Sequence, residues 1–252
     1  MGSVSVSDGV ATVGAGARLG EVYDSLSEHD RTIPAGCGPS VGIAGLTLGG
    51  GLGILGRKYG LTSDHLLGAQ VVLADGRVVE CDDHHDEELF WALRGAGGGN
   101  FGVVTSLVFS TLPAPAATSF HLVWPHTHAT AVIEAWQAWA PAAPDELAAS
   151  LLLAAGGDVG QPPLVNLFGA MLGTEAIVAL VEHLPKGRVP GQSRELDFTP
   201  WGGAYNRVHD DATAFAHRGE LFLLKHAVVV DPDASTAERE AARRWLAQVP
   251  GR

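Results

Sequence analysis

Glycine is concentrated in two short runs of this 252-residue chain, which contains 33 glycines in all. Seven lie between Gly38 and Gly53, and five lie between Gly95 and Gly102. Tight turns explain one or two glycines in a run, but not this density. Residues without a Cβ allow main-chain N–H groups to approach a flat ring system or a pyrophosphate closely. The first run therefore predicts a backbone cradle for a cofactor.

The charge balance is consistent with such a cradle and argues against a nucleic-acid partner. The formal net charge is -12, and the 16 Lys and Arg residues are spread thinly along the chain. Binding to a phosphate backbone needs clustered basic side chains, which are absent from this sequence. Backbone donors, in contrast, can hold an anionic cofactor with few basic residues.

The sequence carries no targeting or membrane signal. No apolar stretch reaches the roughly 20 residues of a membrane span, and residues 2–5 have neither the basic start nor the apolar run of a signal peptide. We therefore expect a cytoplasmic protein with no membrane partner. Two cysteines, Cys37 and Cys81, are too few for a disulfide framework. The oligomeric state stays open.

Turn and periodicity signals predict an α+β fold. Asp8-Gly9 and Asp75-Gly76, each between alternating apolar residues, predict two β-hairpins. Residues 111–119 are typical of a linker. Beyond it we predict an antiparallel sheet with flanking helices. The predicted strands lie near 119–124, 146–154, 163–171, 194–199 and 220–230, and the predicted helices lie at 130–140, 175–184 and 235–248.

One glycine pattern matches a different cofactor fold. Gly51-Leu52-Gly53-Ile54-Leu55-Gly56 has the spacing G-x-G-x-x-G of dinucleotide-binding Rossmann domains, and Asp75 follows about 20 residues later. That motif requires a buried strand before it and a helix after it. Glycines interrupt both flanks, and Asp75 lies in a hairpin turn. A Rossmann dehydrogenase is therefore the less favoured alternative.

Five motifs before residue 111 and two beyond it occur in an order far more specific than any single glycine run. They are PSVGIAGLTLGGGLG at 39–53, YGLTSD at 59–64, the hairpin 71–79, LFWALRG at 89–95, GGGNFGVVTS at 97–106, WGGA at 201–204 and AHR at 216–218. This series closely resembles the berberine-bridge-enzyme-like oxidases of the vanillyl-alcohol-oxidase superfamily. The resemblance covers most of the chain.

The resemblance implies a PCMH-type FAD-binding domain at residues 1–112, lacking its N-terminal subdomain, and a C-terminally incomplete substrate domain at 113–252. It also implies FAD as cofactor and hydride transfer from a small organic substrate to flavin N5, with O2 as the usual final acceptor. The residues implied to lie at the cofactor are Pro39, Ser40, Val41, Gly42, Gly45, Leu46, Thr47, Gly49, Gly50, Gly51, Gly53, Gly60, Leu61, Asp64, Val103 and Val104.

Two family segments have no counterpart in this sequence. An Arg-x-Gly-Gly-His segment would precede residue 1, and a Tyr-x-Asn segment, a frequent source of the catalytic base, would follow residue 252. We therefore expect a fragment or eroded copy that binds FAD weakly and reversibly, because donors on one side of the pyrophosphate would be missing. An inactive or partner-dependent remnant stays open beside the active oxidoreductase.

No catalytic base can be assigned from the sequence. Some relatives carry an acidic base near Leu224, and strand alternation puts Leu224 and His226 on one face. His226 is the nearest titratable residue and a candidate for the substrate face. Trp201 is a second candidate, since it could stack on a substrate or simply pack against the sheet.

Cys37 is a candidate for a covalent link to flavin. In doubly linked relatives the bonded Cys directly precedes the Pro of the Pro-x-Val-Gly run, whereas here Gly38 separates Cys37 from Pro39. A shift of one residue in an extended segment turns a side chain to the opposite face. We therefore expect Cys37 to point away from the ring.

The remaining metal-ligating residue types predict no site. Cys81 follows a hairpin strand and is expected to be structural. His126-x-His128 lacks a third ligand at suitable spacing. His84-His85 lie among acidic residues at a helix start and are expected at the surface, so no metal is predicted.

Overall fold

The chain forms two compact units. A computed structural model describes residues 2–156, 160–172 and 202–220 in full, the backbone of 194–200 and 222–228, and residues 236, 239 and 240. The first unit comprises Met1–Ala116, Pro144–Glu146 and Gly202–Glu220. The second comprises Ala117–Ala143, Leu147–Trp201 and Leu221–Arg252.

The first unit is an α+β structure. Its helices are α1 (Leu19–Ser27), α2 (Ile43–Leu48), α3 (Gly56–Tyr59) and α4 (Glu87–Leu93). Its strands are β1 (Val4–Ser7), β2 (Val10–Gly14), β3 (Arg31–Thr32), β4 (Leu66–Val72), β5 (Val78–Asp82), β6 (Val103–Ser110) and β7 (Leu112–Pro113).

Five of these strands form one sheet in the order β1-β2-β6-β4-β5, and every neighbouring pair is antiparallel. Both predicted hairpins are confirmed. Asp8 (φ 51°) and Gly9 (φ 79°) join β1 to β2 with the two positive φ values of a type I′ turn. In the β4–β5 loop the residue with positive φ is Gly76 (φ 85°).

Helix α1 packs onto this sheet because its apolar residues recur at helical spacing. Leu19, Val22 and Leu26 are fully buried. They share one hydrophobic core with Leu107 and Phe109 of β6. This core supports the loops at which the two glycine runs lie.

The second unit is an antiparallel sheet with a helix, as the sequence predicts. Its strands are β8 (Ala117–Pro125), β9 (Leu147–Ala154), β10 (Leu164–Leu172), β11 (Arg194–Pro200) and β12 (Phe222–Val228), and its helix α5 spans Ala129–Trp139. The strand order is β12-β11-β9-β10-β8. The predicted helix 175–184 lies outside the described residues, and so does 235–248 apart from residues 236, 239 and 240.

The Rossmann alternative is wrong for this fold. The stretch before Gly51 is helix α2 rather than a buried strand, and α3 after it has only four residues. Asp75 lies in the β4–β5 hairpin loop, where its carboxylate accepts hydrogen bonds from Arg77. The neighbours of β6, which follows the second glycine run, are antiparallel rather than parallel.

The segment Gly202–Glu220 returns to the first unit. The predicted division between residues 112 and 113 lies close to the change of unit after Ala116. However, the predicted substrate domain at 113–252 does not form a single compact unit. The reason is the set of hydrogen bonds that residues 205–218 make to the glycine-rich loops, described below.

We expect Trp136→Phe to destabilise the second unit. Trp136 is 1% exposed, and its indole Nε1 donates a 2.9 Å hydrogen bond to the carbonyl oxygen of Ala149. Phe removes that donor and leaves unfilled space, so the free energy of unfolding should fall by about 1–3 kcal/mol. Urea unfolding followed by circular dichroism measures the change, with the exposed Gln137→Ala on the same helix as control. Equal stability of wild type and Trp136→Phe would contradict this.

Candidate cofactor site

Residues Pro39–Gly45 form an exposed stretch of main chain at the start of the first glycine run, which we call the open stretch. Val41 is 40% exposed, and Pro39, Ser40, Gly42 and Gly45 are exposed as well. A Cβ added at Gly42 or Gly45 would meet no atom within 4 Å. The main chain is therefore directly accessible at both glycines.

The open stretch also presents unused backbone donors. The first amides of a helix lack an intrahelical acceptor. In α2 these are the amides of Ala44 and Gly45. Like the amide of Gly42, they donate a hydrogen bond to no backbone carbonyl in the described part of the chain. Neutral amide donors beside an exposed apolar side chain, Val41, suit a ligand that combines a flat apolar ring with anionic oxygens.

The second glycine run lies against the end of α2. The amide of Gly97 donates a 2.8 Å hydrogen bond to the carbonyl of Leu48. Gly97 and Gly99 have φ values of 89° and 81°, which favour glycine because they lie in the left-handed region. Phe101 and Val103, which follow, are 41% and 63% exposed. This run therefore adds exposed apolar surface next to the first.

Several glycines of the first run face protein rather than open space. A Cβ at Gly50 would lie 2.5 Å from the ring of Phe215, and just beyond the run a Cβ at Gly56 would overlap the hydroxyl of Tyr205. A Cβ at Gly53 would overlap the carbonyl of Ala35. These glycines are required by close packing behind the loop.

Asp64 forms a buried ion pair with Arg218. Arg218 is 1% exposed, and its guanidinium donates to Asp64 Oδ1 at 2.6 Å and Oδ2 at 3.0 Å. Arg218 also donates to Thr213 Oγ1 at 2.9 Å, while Asp64 Oδ2 accepts the amide of Leu61 at 2.9 Å. With these partners, the Asp64 carboxylate is a structural acceptor rather than a free group of the pocket.

The predicted cofactor residues thus fall into two sets. The exposed set contains Pro39, Ser40, Val41, Gly42, Gly45, Gly49 and Val103, and Leu46 is half-buried. The set that is buried or packed against protein contains Thr47, Gly50, Gly51, Gly53, Gly60, Leu61, Asp64 and Val104. The first set is the more accessible to a ligand, and the cofactor role of all these residues stays a prediction.

The two substrate-face candidates stay predictions. Trp201 lies outside the described residues. In β12, His226 pairs with Leu196 of β11, which pairs with Leu153 of β9. Paired residues share one face of a sheet, and Leu153 packs into the core beneath helix α5. By register, position 226 therefore belongs to the helix-covered face.

The two cysteines differ in environment. Cys37 is exposed, whereas Cys81 is 2% exposed and burial raises the pKa of its thiol to about 11. Beside Cys37, burial raises the pKa of Tyr23 to about 12, and its hydroxyl donates to the carbonyl of Gly36 at 2.7 Å. Cys81 and Tyr23 are therefore protonated at neutral pH.

The histidines of the described residues do not converge on a site. His126 and His128 are exposed in a short 3-10 turn. His85 is exposed and lies within hydrogen-bonding distance of Asp82. In the described part of the chain, no cluster of three His, Cys, Asp or Glu side chains could hold a metal ion.

Sequence reasoning missed the residues that support the loops from behind. Arg218 and Tyr205 lie within or next to motifs that the sequence had assigned to the substrate domain. The hydroxyl of Tyr205 donates to the carbonyl of Gly53 at 2.9 Å, and burial raises its pKa to about 12. The available signal was the Arg of AHR at 216–218, but nothing in the sequence distinguished the distant Asp64 from nearer acidic residues such as Glu220 as its partner.

The fold and the open stretch are consistent with a flavin-binding domain, and comparison with known proteins supports the same class. Residues 1–82 match the FAD binding domain family. An uncharacterized FAD-linked oxidoreductase of Bacillus subtilis, YvdP, is 43% identical over 84% of this chain and 60% of its own length. The chitooligosaccharide oxidase of Gibberella zeae is 37% identical over 96% of this chain and 52% of its own.

A solved structure has the same fold. The berberine-bridge-enzyme-like protein 28 of Arabidopsis thaliana superposes with a TM-score of 0.84 at 24% identity, covering 97% of this chain and 65% of the other. The chain is therefore similar to berberine-bridge-enzyme-like FAD-linked oxidoreductases, and the match of residues 1–82 to an FAD binding domain supports FAD as the cofactor. It spans 60% of the length of its Bacillus relative. No helix in the described residues is long and apolar enough to cross a membrane.

We expect Gly45→Ala to separate cofactor binding from stability. Gly45 lies inside α2, where Ala is favoured over Gly by about 0.5–1 kcal/mol, and the added methyl meets no protein atom. The variant should therefore melt no lower than wild type without FAD, yet bind FAD more weakly, because the methyl projects into the open stretch. Fluorescence titration with FAD and thermal melts measure both quantities. The control is Gly2→Ala, which also adds a methyl in open space but lies outside both glycine runs. Unchanged FAD affinity in Gly45→Ala would show that the open stretch is not the flavin site.

Proposed function

We propose that this chain carries the flavin site of an FAD-dependent oxidoreductase acting on a small organic substrate. The observation that carries the proposal is the open stretch, with its accessible glycines and unused amides, in a domain that matches the FAD-binding family. FAD, when bound, would accept a hydride from the substrate at N5, with O2 as the final electron acceptor.

The residues of the chain would contribute binding and orientation. The amides of Gly42 and Ala44 would donate to anionic oxygens of the cofactor, which suits a chain of net charge -12. Val41, Phe101 and Val103 would provide exposed apolar surface for its ring systems. Asp64 is held by Arg218 and is therefore not proposed as the base. Trp201 remains a proposed substrate-face residue, whereas the register that assigns position 226 to the helix-covered face argues against His226.

Oligosaccharides are the first substrate class to test, because a relative that matches over nearly the whole chain is a chitooligosaccharide oxidase. We also propose that the protein is cytoplasmic, as its sequence predicts.

The test is anaerobic reduction of bound FAD. The protein is incubated with FAD, freed of excess, and mixed with chitooligosaccharides, glucooligosaccharides and a panel of small alcohols. We expect loss of the visible flavin absorbance with at least one substrate, and its return with hydrogen peroxide on admission of air. Stable FAD binding without bleaching by any of these substrates would count against the oxidase proposal. Failure to bind FAD would favour the alternative of an inactive or partner-dependent remnant.

We expect no thioether between Cys37 and FAD. Gly38 separates Cys37 from Pro39, which shifts the thiol by one residue relative to doubly linked relatives. The measurement is the intact mass after incubation with FAD and acid denaturation, with Cys37→Ala as the matched control. A mass increase of one flavin in the wild type that is lost in Cys37→Ala would show that the thiol does reach the ring.

A further inference from the structure

We propose that residues Gly202–Glu220, here called the clasp, hold the two glycine runs in their FAD-binding conformation, with Arg218 and Phe215 as positioning residues. The proposal rests on the proposed function, because it concerns the same flavin site. In chain order the clasp lies between β11 and β12, which belong to the second unit, yet it is part of the first unit. Its contacts explain why.

Arg218 stabilises the turn at residues 61–63, which is hydrogen-bonded to the first glycine run. Its two hydrogen bonds fix the carboxylate of Asp64, which in turn accepts the amide of Leu61. The next amides, of Thr62 and Ser63, donate to the carbonyls of Gly51 (3.0 Å) and Gly50 (2.9 Å). The ion pair therefore holds the turn that bonds to the glycine run.

Phe215 lies against both glycine runs. A Cβ at Gly50 would lie 2.5 Å from its ring, and a Cβ at Gly95 would lie 2.4 Å from its amide nitrogen. The guanidinium carbon of Arg218 is 5.2 Å from the centre of the same ring, which is within cation–π range. Phe215 thereby fixes the spacing of the two runs.

Tyr205 and Trp91 secure the clasp at two further points. The hydroxyl of Tyr205 donates to the carbonyl of Gly53, and it occupies the space that a side chain at Gly56 would need. The indole Nε1 of Trp91 donates to the carbonyl of Asp211 at 2.7 Å. The clasp is thus bonded to both the first glycine run and helix α4.

These contacts reach the open stretch through α2. This helix has only six residues, too few to be stable alone, so tertiary contacts must maintain it. Two hydrogen bonds connect its last turn to the loops that the clasp holds. The amide of Gly50 donates to the carbonyl of Thr47, and the amide of Gly97 donates to the carbonyl of Leu48. Arg218 and Phe215 are buried on the protein side of these loops, so they act on the flavin only through the main chain.

The experiment compares Arg218→Lys with a variant destabilised elsewhere. Lysine keeps the positive charge but cannot form the bidentate contact that a guanidinium makes with a carboxylate. Trp136→Phe, in the second unit, is the control for loss of stability, and Phe215→Leu is a second clasp variant. FAD dissociation constants are measured at a temperature at which circular dichroism shows every variant to be folded. We expect about tenfold weaker FAD binding in Arg218→Lys, roughly the loss of one charge-assisted hydrogen bond. We also expect weaker binding in Phe215→Leu, which loses ring packing against Gly50, and no change in Trp136→Phe.

A readout without FAD keeps the test independent of the proposed function. We expect the amides of Thr62 and Ser63 to exchange faster with deuterium in Arg218→Lys than in wild type or Trp136→Phe. Wild-type FAD affinity in both clasp variants, or equal weakening in Trp136→Phe, would overturn the proposal. If the wild type binds no FAD, the proposed function fails, and unchanged exchange at Thr62 and Ser63 would then overturn the clasp as well.

Discussion

The conformation of the glycine-rich loops depends on one buried ion pair. Arg218 is 1% exposed, and the Asp64 side chain is 11% exposed. A buried guanidinium is tolerated only when a counter-charge and further acceptors satisfy it. Asp64, Thr213 and the carbonyl of Tyr205 supply them for the two terminal nitrogens, whereas Nε has no partner among the described residues. Loss of one partner from such a pair costs about 3–5 kcal/mol, because the other charge stays buried and uncompensated.

The same glycine run serves two surfaces. On one side, Gly42 and Gly45 leave the main chain open, so that its amides can meet a ligand. On the other side, Gly50 and the nearby Gly56, just beyond the run, make room for the aromatic rings of Phe215 and Tyr205. A side chain at any of these positions would therefore have an effect, but for different reasons. At the first pair it would obstruct the ligand, and at the second it would displace protein.

Local signals in the sequence predicted local structure well. Asp8-Gly9 marked a hairpin because both residues had to adopt positive φ, and they do. The order of motifs predicted the flavin family, which single motifs could not, as the false Rossmann pattern at Gly51–Gly56 shows. Helix α2 was not predicted, since a six-residue helix containing Gly45 has no stability of its own and depends on tertiary contacts. The role of Arg218 could not be predicted either, because a pairing across 154 residues leaves no local pattern.

That separation has a consequence for how the protein is made. During synthesis, Asp64 leaves the ribosome long before Arg218, and domains fold as their residues emerge. Until the clasp arrives, the nascent first unit holds an unpaired carboxylate and unfilled space behind its glycine loops. Contacts of such long sequence separation are slow to form, because a large loop must close first. The proposed flavin-binding surface is thus completed only after Arg218 has been synthesised, although most of its residues belong to the first half of the chain.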